Sequence, residues 1–221
     1  VGLIDNGKKA FPRKESLFFF YAIILSVLLT IFTDEPVTLS NQGLLNMSYH
    51  INHESIEHRT PLFTIKRVNL SLPNGKIRDY DLIDIQNAVT ILPLDNEGNV
   101  YMVRQYRVGA RAQLLELPAG KIEERDDPLE TAQRELREET GMAANEWIAL
   151  GNFYMSPGYA SEYMYCYLAR DLFPSPLDPD ADEFLDLEKV PLDQFRRMLA
   201  DNLIEDSKTL AVFALAQQYL P

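Results

Sequence analysis

Three carboxylates at the spacing of one helical face are the residues of this chain best suited to chemistry. Glu135, Glu138 and Glu139 stand at i, i+3 and i+4 within Arg134-Glu-Leu-Arg-Glu-Glu139, so a helix there sets them side by side. The helix boundaries are also written in the sequence. Asp127 suits the N-cap, Pro128 the first helical position, Glu130 the far end of a capping box, and Gly141 a left-handed stop. Three like charges on one face repel unless a cation sits among them. Hard divalent cations such as Mg²⁺ take carboxylate oxygens, usually beside a phosphorylated ligand. The segment reads as a metal platform. The plainer alternative pairs the acids with Arg134 and Arg137 on a solvated face.

Other chemistries are poorly supplied. The single cysteine, Cys166, excludes an intrachain disulfide and a cysteine-based zinc site. Its place in Tyr163-Met-Tyr-Cys-Tyr167 suits a buried, inert thiol in a strand. His50, His53 and His58 are the only histidines, and they read as part of a flexible polar leader. Triads built on histidine are therefore unsupported beyond residue 58. Proton transfer falls to carboxylates, Lys, Tyr or metal-activated water.

The pattern around the acids resembles the signature of the Nudix hydrolases. Gly120, Arg134, Glu135, Leu136, Glu138, Glu139, Gly141 and Met142 fall in register with it, and Asp126 stands where that family usually has Glu. Val103-Arg-Gln-Tyr-Arg107, Leu114-Leu-Glu-Leu-Pro-Ala-Gly-Lys121 and Ser156-Pro-Gly158 are similar to the ADP-ribose pyrophosphatase branch. So is Pro157, 16 residues beyond Gly141. The resemblance implies Mg²⁺ (or Mn²⁺) held by Glu135, Glu138 and Glu139, with the Ala119 carbonyl oxygen joining them. It implies hydrolysis of ADP-ribose to AMP and ribose 5-phosphate, Glu139 taking part in catalysis. Another nucleoside diphosphate sugar as substrate, or a non-catalytic nucleotide sensor, are the alternatives.

A glutamate on a late loop serves as base or extra ligand in the family, which points to Glu183. Some relatives carry a second acid two residues earlier, where this chain has Ala181, so Asp182 and Glu162 stay open as bases. Arg104 and Arg107 suit phosphate oxygens, but three residues apart on a strand they face opposite ways. Glu116 and Glu162 match family positions near the ribose or adenine, and Tyr106 and Tyr159 could stack on the base.

The surrounding chain must position these groups. With 221 residues and 46% hydrophobic content it can bury one good core. Net charge is −12, and from Thr60 onward 16 Lys/Arg face 27 Asp/Glu, which argues against nucleic acid as a partner. Residues 1–46 read as a leader: 17–32 is nearly all apolar after Lys8, Lys9, Arg13 and Lys14. This stretch is a signal or anchor element, or the product of a mis-assigned start with Met47 as the true one. A cytoplasmic enzyme is expected, or one membrane-anchored through 17–32.

Residues 47–86 read as a polar linker and an N-terminal β-hairpin (62–72 and 76–85 about Pro73-Asn74-Gly75). Residues 87–221 read as the catalytic domain. There, strands are expected at 87–94, 99–107, 114–117, 147–155, 162–168 and 183–190, and helices at 192–200 and 206–220 after the motif helix. The fold expected is an α/β/α sandwich of Nudix type with a mixed sheet, plus a small N-terminal antiparallel sheet. In the branch resembled, that small sheet helps to form a homodimer.

Overall fold

The computed structural model describes residues 48–178 and 184–221. The leader at 1–46, with its apolar stretch 17–32, lies outside them, as do Ala181, Asp182 and Glu183. Ser48–Pro221 forms one compact unit. Among the described residues, no helix is long and apolar enough to cross a membrane.

The unit opens with an antiparallel sheet of β1 (His50–Arg59), β2 (Phe63–Ser71) and β3 (Ile77–Ile85), β2 in the middle. Gly75, at φ +79°, turns the chain between β2 and β3. The reading of His50, His53 and His58 as a flexible leader is corrected here. They lie on β1, which pairs along the whole of β2. Every residue of β1 is exposed, so there is no buried apolar stripe in its sequence. Its support comes from backbone pairing and polar cross-strand contacts, Asn52 Nδ2 donating to Asn69 (2.9 Å) and Ser71 (3.0 Å).

The main body holds β4 (Ala88–Pro93), β5 (Asn99–Arg107), β6 (Ala112–Glu116), β7 (Ala119–Lys121), α1 (Pro128–Thr140), β8 (Met142–Tyr154), β9 (Tyr163–Pro174), β10 (Leu185–Pro191), α2 (Leu192–Ala200) and α3 (Ser207–Ala216). A mixed sheet runs β7-β4-β9-β8, with β4 parallel to β9 and the other neighbours antiparallel. A second, antiparallel sheet runs β10-β5-β6.

All six residues of β4 are buried, as befits a central strand covered on both faces. Val89 and Ile91 pack with Ala132 and Leu136 of α1. Ala88 and Leu92 join Met164, Cys166 and Leu168 of β9 on the opposite face, with Met102 of the second sheet, Leu117 just after β6, Phe195 of α2 and Val212 of α3. The result is the α/β/α sandwich with a small antiparallel sheet ahead of it. Burial pushes the Cys166 thiol up to about 12, in keeping with an inert core residue.

Elements differ from the sequence pattern mainly at their ends. β8 starts at Met142 and β9 runs to Pro174 because their ends pair, Met142 opposite Pro174; this pairing extends both beyond their apolar centres. The stretch expected to be one helix over 206–220 is α-helical to Ala216 and then tightens to a 3-10 turn over Gln217–Tyr219. The three-residue β7 was too short to carry any periodicity.

Candidate active site

The cap and the glycine stop of α1 form as the sequence implies, without the reciprocal Glu130 bond of a capping box. Asp127 caps it by accepting from the backbone N–H of Leu129 (2.8 Å) and Glu130 (3.3 Å). Gly141, at φ +71°, ends it with its N–H on the Arg137 carbonyl. One face of the helix is apolar and meets β4. Next to that face, Glu135 and Glu139 are 6% and 4% exposed and line a cavity of about 880 Å³. Glu138 is not among the lining residues. Its Oε2 accepts from Arg134 Nη1 at 2.7 Å, while Arg134 Nη2 stands 2.8 Å from Glu135 Oε1. Burial alone would weaken the charge of Arg134, but Glu135 and Glu138 outweigh it and raise the guanidinium above its ordinary value. Arg137 instead donates to the Ser175 carbonyl.

The segment after β6 is held against these acids. The Ala119 N–H donates to Glu139 Oε2 at 2.9 Å, and the Pro118 carbonyl accepts from Ile91. Gly120 lies so close to Glu135 that a Cβ there would overlap its carboxyl group. The donors gathered here are carboxylate oxygens beside a backbone segment, a set that fits a hard divalent cation. Among the described residues no cluster of three or more His, Cys, Asp or Glu side chains surrounds one point. Glu183, the late-loop acid, lies outside the described residues.

A second polar cluster forms another wall of the cavity. Arg107 grips Glu116 with its forked edge, Nε at 2.9 Å from Oε1 and Nη2 at 2.6 Å from Oε2. Lys208 Nζ bonds the same Glu116 Oε2 and pairs with Asp206 at 3.0 Å. Glu116 is completely buried. Burial by itself would raise its carboxyl, but Arg107 and Lys208 overcome that and hold it below the usual carboxylate value. Asp206 caps α3 by accepting from Thr209 N (2.9 Å) and Oγ1 (2.6 Å). The Leu117 N–H donates to Thr209 Oγ1 at 2.9 Å. The first turn of α3 is thereby fastened to the end of β6.

Arg104 and Arg107 part company as a strand requires. Arg107 lines the cavity, whereas Arg104 pairs with Glu188 of β10 at 2.6 Å and does not line it. Glu162 lines the cavity; burial raises its carboxyl, and Lys208, Arg107 and Lys121 only partly offset this. The loop before it is clasped by β3. Ile83 N–H donates to the Tyr159 carbonyl (2.8 Å), Ser161 N–H to the Ile83 carbonyl (3.0 Å), and Ile85 N–H to Ser161 Oγ (3.0 Å). Tyr106 and Tyr159 are both exposed and outside the cavity lining.

Sequence reasoning passed over Asp206, Lys208 and Thr209. The cap signature Asp206-Ser-Lys-Thr209 was legible, but the 92 residues between Glu116 and Lys208 hid its partner.

The sequence model of the NUDIX domain matches residues 84–213, and the chain belongs to the Nudix family. It is 34% identical over 178 residues to an ADP-ribose pyrophosphatase of Bacillus subtilis, covering 76% of this chain and 94% of the relative. It is 37% identical over 154 residues to the methanol dehydrogenase activator of Bacillus methanolicus, covering 69% and 81%. The crystal structure of an ADP compounds hydrolase superimposes with a TM-score of 0.71 at 29% identity, covering 78% of this chain and 94% of that one. The chain is therefore a Nudix hydrolase, of a class that generally uses divalent metals.

Proposed function

We propose that this protein hydrolyses the pyrophosphate bond of ADP-ribose, giving AMP and ribose 5-phosphate with Mg²⁺ or Mn²⁺. The observation that carries the reading is the meeting of two buried carboxylates, Glu135 and Glu139, with Arg107 around one cavity. Glu135 and Glu139 would hold the cation with the Ala119 carbonyl, and Glu138 would join the donor set only by leaving its pair with Arg134. With a divalent cation held there, the charge on the phosphate oxygens would be offset and the attacking water would be made more acidic. Arg107 binds a phosphate oxygen. Glu183 is the proposed base, and Glu162 is the second carboxylate placed to take a proton. Glu116 acts on the substrate through its hold on Arg107, whereas Arg104, paired with Glu188 outside the cavity lining, is assigned no contact. The relatives' action on ADP-ribose and ADP compounds supports this substrate class.

The same assignment divides the chain into a leader (1–46), a linker and small sheet (47–86) and the catalytic domain (87–221). Exposed Ile51, Ile56, Ile77 and Tyr80 on the small sheet suit a homodimer interface, which light scattering on the purified protein tests.

Product analysis with Mg²⁺ over ADP-ribose and a panel of nucleoside diphosphate sugars tests the reaction. AMP released selectively from ADP-ribose, and reduced by about 10²-fold or more in Glu139→Gln, is the expected result, on the scale of a lost electrostatic catalytic group. Preference for another sugar nucleotide would keep the chemistry and change the substrate. Turnover without metal, or undiminished in Glu139→Gln, would sink the mechanism. A folded protein that binds nucleotide and cleaves nothing would be a sensor.

A further inference from the structure

Lys208 is a charged side chain only 6% exposed, reaching the cavity from an element that contributes none of the motif acids. It belongs to a continuous chain of contacts: Thr209 to Asp206, Asp206 to Lys208, Lys208 to Glu116, Glu116 to Arg107. At the far end, Arg107 spends Nε and Nη2 on Glu116. Nη1 stays outside that fork, on a side chain 41% exposed that lines the cavity. We propose that Lys208 is a positioning residue: by gripping Glu116 from the side of α3, it fixes the direction in which Arg107 presents its remaining guanidinium edge to the diphosphate of the ligand. This rests on the nucleoside diphosphate reading above.

The Glu116 carboxylate has no solvent-accessible surface. Glu116 offers several lone pairs in a buried site, and Arg107 alone, bonded to both oxygens, would hold the carboxylate from β5 only. Lys208 occupies Oε2 from the opposite element, so the carboxylate sits between two cations and its orientation is set by two elements rather than one. Lys208 is itself held by Asp206, the cap of α3. Its effect on the ligand passes through Glu116, so removing it changes how Arg107 meets the phosphates and leaves Glu135 and Glu139 alone.

A double-mutant cycle on the full chain tests this. The probe is ADP with Mg²⁺, its affinity measured by calorimetry on wild type, Lys208→Met, Arg107→Lys and the double variant. Thermal unfolding of each protein and the kcat and KM for ADP-ribose are recorded alongside. Each single substitution is expected to weaken ADP binding and raise KM by about tenfold, the scale of one charge-assisted hydrogen bond. The double variant is expected to be little worse than either single one, because the two residues act as a unit. For Lys208→Met the loss should fall mainly on KM rather than on kcat, as for lost uniform binding.

Multiplying losses, or a Lys208→Met protein that melts earlier while binding ADP unchanged, would overturn the proposal. So would a wild type that does not bind ADP. If Lys208→Met does not fold, Asp206→Asn loosens Lys208 while keeping the cap. Its cycle with Arg107→Lys then measures the same coupling, and multiplying losses there would overturn the proposal equally. Coupled ADP binding in a protein that leaves ADP-ribose intact would uphold the clamp and refute the substrate.

Discussion

Gly120 shows how closely the site is packed around one atom position. A methyl group there would share space with the Glu135 carboxyl, so Gly120→Ala must push the carboxylate out of place or the strand away from α1. We expect the variant to fold and to lose hydrolysis by about 10²-fold, as small displacements of positioned groups do, checked by kinetics beside a circular dichroism spectrum. Glu162 makes a prediction with a sign. Burial raises its carboxyl, so the folded state holds this proton more tightly than the unfolded chain does. The folded state therefore loses stability as pH rises from the ordinary carboxylate value through the raised one, and the cost is complete above it. Glu162→Gln, which cannot ionise, should melt higher than wild type at pH 7, and this gain should vanish in acid where the wild-type carboxyl is protonated as well. Melting curves across pH decide it. A gain that persists in acid would show that charge is not the cause.

Among the elements, α1 and α3 reach the site by different logic. The boundaries of α1 were legible because Asp127, Pro128 and Gly141 act locally, within a turn of the residues they affect. The short apolar run within 87–94 was equally readable as a strand, its two faces only from the structure. β1 was not, because all its side chains are exposed and its pairing with β2 is a property of the backbone. The site divides the same way. Glu135 and Glu139 were found by their spacing, whereas Lys208 meets Glu116 only through the tertiary fold. Thr209 is the hinge of that meeting, since its hydroxyl serves both Leu117 and the cap Asp206. Thr209→Val keeps the shape and removes the hydroxyl, leaving the buried Leu117 N–H without this partner. We expect a loss of about 1–3 kcal/mol, read from urea unfolding, with slower turnover of ADP-ribose in the folded protein.

For the molecule as a whole, the compact unit Ser48–Pro221 contains every described residue of the site. The isolated unit should therefore fold cooperatively and match the full chain in kcat/KM for ADP-ribose. An inactive but folded unit would assign the first 47 residues a part in catalysis.

The small sheet is more than an appendage in this unit. Ile83 and Ile85 of β3 bond the loop through Tyr159 and Ser161, and Lys66 holds Asp84 at 2.5 Å, within reach of the Ser161 hydroxyl. The bonds from β3 to the loop join segments about 76 residues apart in the chain. β3 and the loop are thereby held to one another at several points. A shift of β3 is expected to carry this loop with it and, through Ser161, to reach Glu162 in the cavity wall.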